Sequence, residues 1–132
     1  MRRAVLIADG DVSLLKLFES FLSRHGYAVD TAGDTLDCLG KLRRCHYQLL
    51  VLDLELPWGG GEAVLAVMRG DPPRVAVPVL LTSAGVFPEG LPAPVRPPAV
   101  RVLWKPFSLE LLLESVQSAL AADGPVAAGD NP

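Results

Sequence analysis

Leu49-Leu50-Val51-Leu52-Asp53 is the stretch from which the rest of the chain can be read. Four successive aliphatics lack the alternation of a half-buried strand and the length of a helix. A run of this kind is a strand covered on both faces, as in a parallel sheet packed between helices. It ends on a carboxylate. An aspartate following four buried aliphatics is partly desolvated and needs a cationic partner or a metal.

Working outward, the same pattern recurs. Ala4 to Ala8 is a second unbroken apolar run, ending at Asp9-Gly10-Asp11. Asp11 can cap a helix with Leu14, Leu17, Phe18, Phe21 and Leu22 on its inner face, stopped at Gly26. Tyr27 to Val29 predicts a weaker strand. Asp34 can cap a helix with Leu36, Leu39 and Leu42 inward and Lys41, Arg43 and Arg44 in its last turns, where cations suit the dipole. After Asp53, the triple glycine Gly59-Gly60-Gly61 opens a helix carrying Val64, Leu65, Val67 and Met68. Val77 to Leu81 and Val100 to Trp104 predict the fourth and fifth strands. Ser108 can cap a final helix carrying Leu109, Leu112, Leu113 and Val116.

Strands alternating with helices imply an α/β fold, a doubly wound five-stranded parallel sheet with helices on both faces. One interval departs from the pattern. The chain holds 12 prolines in 132 residues, against a usual share of about 5%. Pro88, Pro92, Pro94, Pro97 and Pro98 all fall between the fourth and fifth strands, where proline inside a helix costs about 3 kcal/mol. The helix expected there, fourth in order, is read as replaced or shortened by a proline-rich loop. Residues 1–122 read as one domain, and 123–132 as a flexible tail or the start of a linker.

Bulk composition excludes several classes. A net charge of −3 with scattered basic residues offers no nucleic-acid footprint. No apolar run approaches the roughly 20 residues needed to cross a bilayer, and the opening Met1 to Ala8 is short for a signal peptide. Cys38 and Cys45 match neither a CxxC redox site nor a zinc knuckle. A cytoplasmic, reduced setting without membrane attachment is the expectation.

In open parallel sheets, ligands gather beyond the carboxyl ends of the strands. Those ends carry Asp9 and Asp11, Asp53, Ser83 and Lys105, five polar residues that converge on one cleft. Lys105 is the natural ion partner of Asp53. Asp11 is first a helix cap and second a candidate metal ligand. The triple glycine could cradle a phosphate, but it lacks the ending of a nucleotide-binding loop, and a tight turn is the better reading.

These residues resemble the receiver domains of two-component response regulators. The resemblance runs from about Arg3 to Ala121 and rests on Leu6 to Asp11, Leu49 to Pro57, Pro78 to Ala84 and Leu103-Trp104-Lys105-Pro106-Phe107. It implies a flavodoxin-like fold and phosphoryl transfer from a histidine kinase or phosphotransfer protein onto Asp53. By the same resemblance Lys105 is the ion-pairing lysine, Ser83 the hydroxyl that bonds the phosphoryl group, and the Lys105–Pro106 bond is cis. Magnesium would be held by Asp9, Asp53 and the backbone carbonyl of Glu55. The domain would be a signalling switch rather than an enzyme, coupled to an output protein or effector domain, or to a second copy of itself.

Three departures stand out. Gly10 occupies the second position of the family's acidic pair, which should weaken magnesium binding, with Asp11 or the Glu55 side chain as alternative donors. Val102 stands where the family often has an aromatic residue. The proline-rich interval alters the face through which many receivers signal. The alternative reading is a pseudo-receiver that works as a phosphorylation-independent interaction module. A third, a phosphatase with an aspartate nucleophile, would usually carry a second aspartate at position 55.

Overall fold

The computed structural model describes residues 2–71, 76–85 and 97–121. Five strands, β1 (Ala4–Ala8), β2 (Ala28–Ala32), β3 (Leu49–Asp53), β4 (Val79–Ser83) and β5 (Ala99–Trp104), form one parallel sheet in the order β2-β1-β3-β4-β5. This is the doubly wound, flavodoxin-like arrangement, whose chain reverses direction of growth between β1 and β3. Four helices are described: α1 (Val12–Arg24), α2 (Thr35–Arg44), α3 (Gly60–Arg69) and α4 (Leu109–Ala121).

The apolar runs divide between the two faces by strand alternation. Leu6, Ala8, Leu50 and Leu52 pack with Cys38 and Leu42 of α2 and Val64, Leu65 and Met68 of α3. Val5, Ile7, Leu49 and Val51 pack with Leu15, Phe18 and Leu22 of α1 and Leu112, Val116 and Ala119 of α4. β3 is buried along its whole length, as its unbroken apolar run requires.

The helix starts follow the local chemistry. Asp11 accepts from the N–H groups of Ser13 and Leu14, Asp34 from that of Asp37, and the Ser108 hydroxyl from that of Leu111. Each satisfies a donor that the helix itself leaves unpaired.

Several expectations shift. β2 runs on through Asp30 and Thr31, with alternate residues exposed; as an edge strand it tolerates polar residues that end an apolar run. β4 begins after Pro78 and extends through Thr82 and Ser83. Leu17, Leu36 and Val67, expected inward, are exposed. Each lies two residues from a buried neighbour (Leu15, Cys38 and Leu65), a rotation of about 200° on a helix, so it faces away from the sheet.

Of the proline-rich interval, Pro97 and Pro98 are described. They are joined by a cis bond, and the Pro98 carbonyl accepts from the Val79 N–H at 2.9 Å, feeding the chain into β5. Pro88, Pro92 and Pro94, and with them the loop said to replace a helix, lie outside the described residues. So does the tail 123–132.

Candidate functional site

The carboxyl ends of β1, β3, β4 and β5 bring Asp9, Asp53, Ser83 and Lys105 together. Asp53 closes β3 and pairs in register with Thr82 of β4. Asp9 leaves β1, its N–H still on the ladder to Ala32. The Lys105 N–H bonds the Ser83 carbonyl at 2.7 Å, which anchors the lysine at the sheet edge. Its bond to Pro106 is cis, and Phe107 stacks on Phe18 of α1, ring centres 5.6 Å apart.

The two acids are treated alike. One oxygen of each accepts the N–H two residues on, Asp11 for Asp9 at 2.8 Å and Glu55 for Asp53 at 2.9 Å. The other oxygen faces the Lys105 ammonium, at 2.8 Å for Asp9 and 3.3 Å for Asp53. Both carboxylates are buried, with Asp9 3% and Asp53 4% exposed.

Burial raises the Asp53 carboxyl above its ordinary range, and the Asp9 charge adds to the rise; the Glu55 N–H and Lys105 oppose it. For Lys105, burial acts downward, but the hydrogen bond and charge of Asp9, with those of Asp53, prevail and hold the ammonium above its usual value.

Ser83 is fully buried at the end of β4. Its hydroxyl donates to Glu55 Oε2 at 2.8 Å and accepts from the Gly85 N–H at 2.9 Å. The Ala84 N–H donates to Glu55 Oε1 at 2.9 Å. Sequence reasoning assigned Glu55 a backbone role or a place on the metal. No local pattern signals this contact, because Glu55 lies in a turn beyond the end of β3. Asp11 directs its Oδ1 to the first turn of α1.

Gly10 is tightly confined. A β-carbon there would lie 2.8 Å from Cγ and Cδ of Pro57. Pro57 is itself held through its carbonyl by the N–H and hydroxyl of Thr35, at 3.0 and 2.9 Å. The triple glycine serves the turn into α3: Gly59 and Gly60 have positive φ, and Gly61 lies against the Asp53 carbonyl.

Val102 packs against the core. Next to Lys105, Trp104 is half exposed and lies over Gly85, where a β-carbon would meet its ring at 3.7 Å.

Among the described residues no group of three His, Cys, Asp or Glu side chains converges as a metal cage. The donor set is two adjacent carboxylates, Asp9 and Asp53. Magnesium is commonly held by one or two carboxylates with waters completing its shell, so the set fits that ion at its smallest. No described helix is long and apolar enough to cross a membrane.

Residues 5–117 match the family model of the response regulator receiver domain. The chain is 28% identical over 120 residues to the DNA-binding response regulator MtrA of Mycobacterium tuberculosis, covering 91% of this chain and 51% of that protein. It is 31% identical over 130 residues to the "Probable transcriptional regulatory protein TcrX" of the same organism, covering 94% and 55%. The chain thus spans about half the length of these curated relatives. Among solved structures, the chemotaxis response regulator CheY4 of Vibrio cholerae superposes with a TM-score of 0.78 at 25% identity, over 91% of this chain and all of that one. The receiver domain of Francisella response regulator 1452 has the same fold, with a TM-score of 0.77 at 23% identity over 91% of this chain and 98% of that one.

Proposed function

The chain belongs to the response regulator receiver domain family, and we propose that within it Asp53 accepts a phosphoryl group from a histidine kinase or phosphotransfer protein. The observation that carries this reading is the Lys105 ammonium, which faces the buried Asp53 carboxylate and the Asp9 carboxylate together. An Asp53 oxygen forms the new bond to phosphorus as the donor's bond to phosphorus breaks, its electron pair leaving with the donor's imidazole nitrogen. Water later takes the phosphoryl group and restores the carboxylate. Such transfer needs positioning and charge neutralisation above all. Lys105 contributes fixed positive charge, and the Ser83 hydroxyl lies at the adjoining strand end to receive an added phosphoryl oxygen.

Asp9 and Asp53 are the side chains that would hold magnesium, with the Glu55 backbone carbonyl beside them. When bound, the ion supplies positive charge against the phosphoryl oxygens. The domain acts as a switch and not as an enzyme with turnover of its own. Its relatives are named as DNA-binding and transcriptional regulators. The output here is a partner protein or an effector domain responding to the state of Asp53.

Trp58 and Trp104 are both exposed, and they follow Asp53 by five residues and precede Lys105 by one in the chain, so tryptophan emission is the reporter. A saturable change on adding beryllofluoride with magnesium, lost in Asp53→Asn, is the expected result. No response by emission or by amide chemical shifts would favour the phosphorylation-independent module, the reading to which the closed Gly10 position points.

A further inference from the structure

Glu55 holds an anion seat that lies beside Asp53. The Ser83 hydroxyl grips one of its carboxylate oxygens and the Ala84 N–H grips the other, at 2.8 and 2.9 Å. Two donors from successive residues, one on each oxygen, bind a single anion with charge-assisted bonds. The Gly85 N–H bonds the same hydroxyl oxygen, so the whole Ser83–Gly85 segment is organised around the Glu55 carboxylate. A serine hydroxyl and a backbone amide each have one hydrogen to give. Whatever anion takes those two hydrogens excludes another.

We propose that Glu55 is a resident substitute for the phosphoryl group. Its carboxylate holds the Ser83–Gly85 segment in an anion-bound arrangement before any transfer, and a phosphoryl group on Asp53 must displace it to reach Ser83. The first half stands on the geometry alone; the second rests on Asp53 as phosphoacceptor. The two acids are neighbours, since Asp53 accepts the Glu55 N–H at 2.9 Å and pairs with Thr82, the residue before Ser83. The consequence is a Ser83 hydroxyl and an Ala84 N–H already engaged by an anion without a signal, and a site whose loading is opposed by its own side chain.

Two measurements on the whole chain test the proposal separately. Glu55 is exposed, so Glu55→Ala leaves the core intact. In the ligand-free protein, amide exchange at Ala84 should quicken about tenfold in Glu55→Ala, the worth of one charge-assisted bond. Unchanged exchange overturns the resident contact. Beryllofluoride with magnesium is then titrated into the native chain, Glu55→Ala, Ser83→Ala and the double variant. Apparent affinity should rise several-fold in Glu55→Ala, and that gain should vanish in the Ser83→Ala background, because the two residues share one bond. An equal gain in both backgrounds shows repulsion between charges only and overturns displacement. If no variant responds to beryllofluoride, the phosphoacceptor reading and the displacement fall together, while Ala84 exchange still decides the resident contact.

Discussion

The ring of Pro57 occupies the space that any side chain on Gly10 would need, with Cγ and Cδ both 2.8 Å from where a β-carbon would sit. The ring cannot easily retreat, because Thr35 holds the Pro57 carbonyl with two hydrogen bonds. The absence of a side chain at position 10 and the Pro57 ring filling its place are therefore one structural fact. Restoring the acid by Gly10→Asp should destabilise the domain by about 1–3 kcal/mol, the usual range for overpacking, as measured by urea unfolding. Adding Pro57→Ala, which removes the clashing carbons, should recover most of that loss. Magnesium affinity, read by tryptophan emission, should rise more in the double variant than in Gly10→Asp alone.

Asp53→Asn should raise the melting temperature at neutral pH. The Asp53 carboxyl is raised in the folded state above its ordinary value of 3.8, chiefly by burial. Below 3.8 the group is protonated whether folded or unfolded, and the wild-type protein has no disadvantage from its charge. As pH climbs through the folded value, the folded chain must give up a proton it holds more tightly than the unfolded chain, so stability falls. The gap between Asp53→Asn and wild type should widen from acid to neutral pH in thermal melts. A gap that narrows over that range would contradict the assignment.

Lys105→Met should cost about 3 kcal/mol at neutral pH, because it leaves two buried carboxylates facing each other without a cation. The loss should shrink in acid, where one carboxylate takes up a proton. Urea unfolding at two pH values distinguishes this from simple loss of packing, which would be the same at both. On the alkaline side, the Lys105 ammonium is held above its usual value, so its contribution is complete below 10.5 and is lost as pH rises through the higher folded value.

What could be read from the residues was whatever depends on near neighbours. The strand-end positions of Asp9, Asp53 and Lys105 follow from the apolar runs that precede them. The caps Asp11, Asp34 and Ser108 follow from side chains that bond their own next turn. What escaped depends on distant parts of the chain. Glu55 meets Ser83 across 28 positions, through a turn whose path no local pattern specifies. The confinement of Gly10 needs Pro57 and, behind it, Thr35, from three separate segments. Leu17, Leu36 and Val67 face away from the sheet because a helix with aliphatic side chains on adjoining arcs offers two inner faces, and only packing against the sheet selects one. In β2, Asp30 bonds the Tyr47 hydroxyl at 2.6 Å, a polar edge that an apolar criterion ends too early.

The third residue of the triple glycine provides the sharpest test of how the exit of the central strand positions Asp53. A β-carbon on Gly61 would lie 2.9 Å from the Asp53 carbonyl oxygen and 3.0 Å from the Leu54 α-carbon. Both are backbone atoms that cannot swing aside, so the first turn of α3 rests directly on the exit of β3. Gly61→Ala should push the two apart, at about 1–3 kcal/mol in urea unfolding. It should also move the amide resonance of Glu55, whose N–H is fixed to Asp53. Gly33→Ala is the matched control. Nothing lies within 4 Å of its β-carbon and its backbone conformation needs no glycine, so its effect should stay within about 0.5 kcal/mol. A glycine cluster that served only as a flexible phosphate cradle would show equal tolerance at both positions. Loss at Gly61 alone identifies close packing of helix on strand as what holds the carboxylate in place.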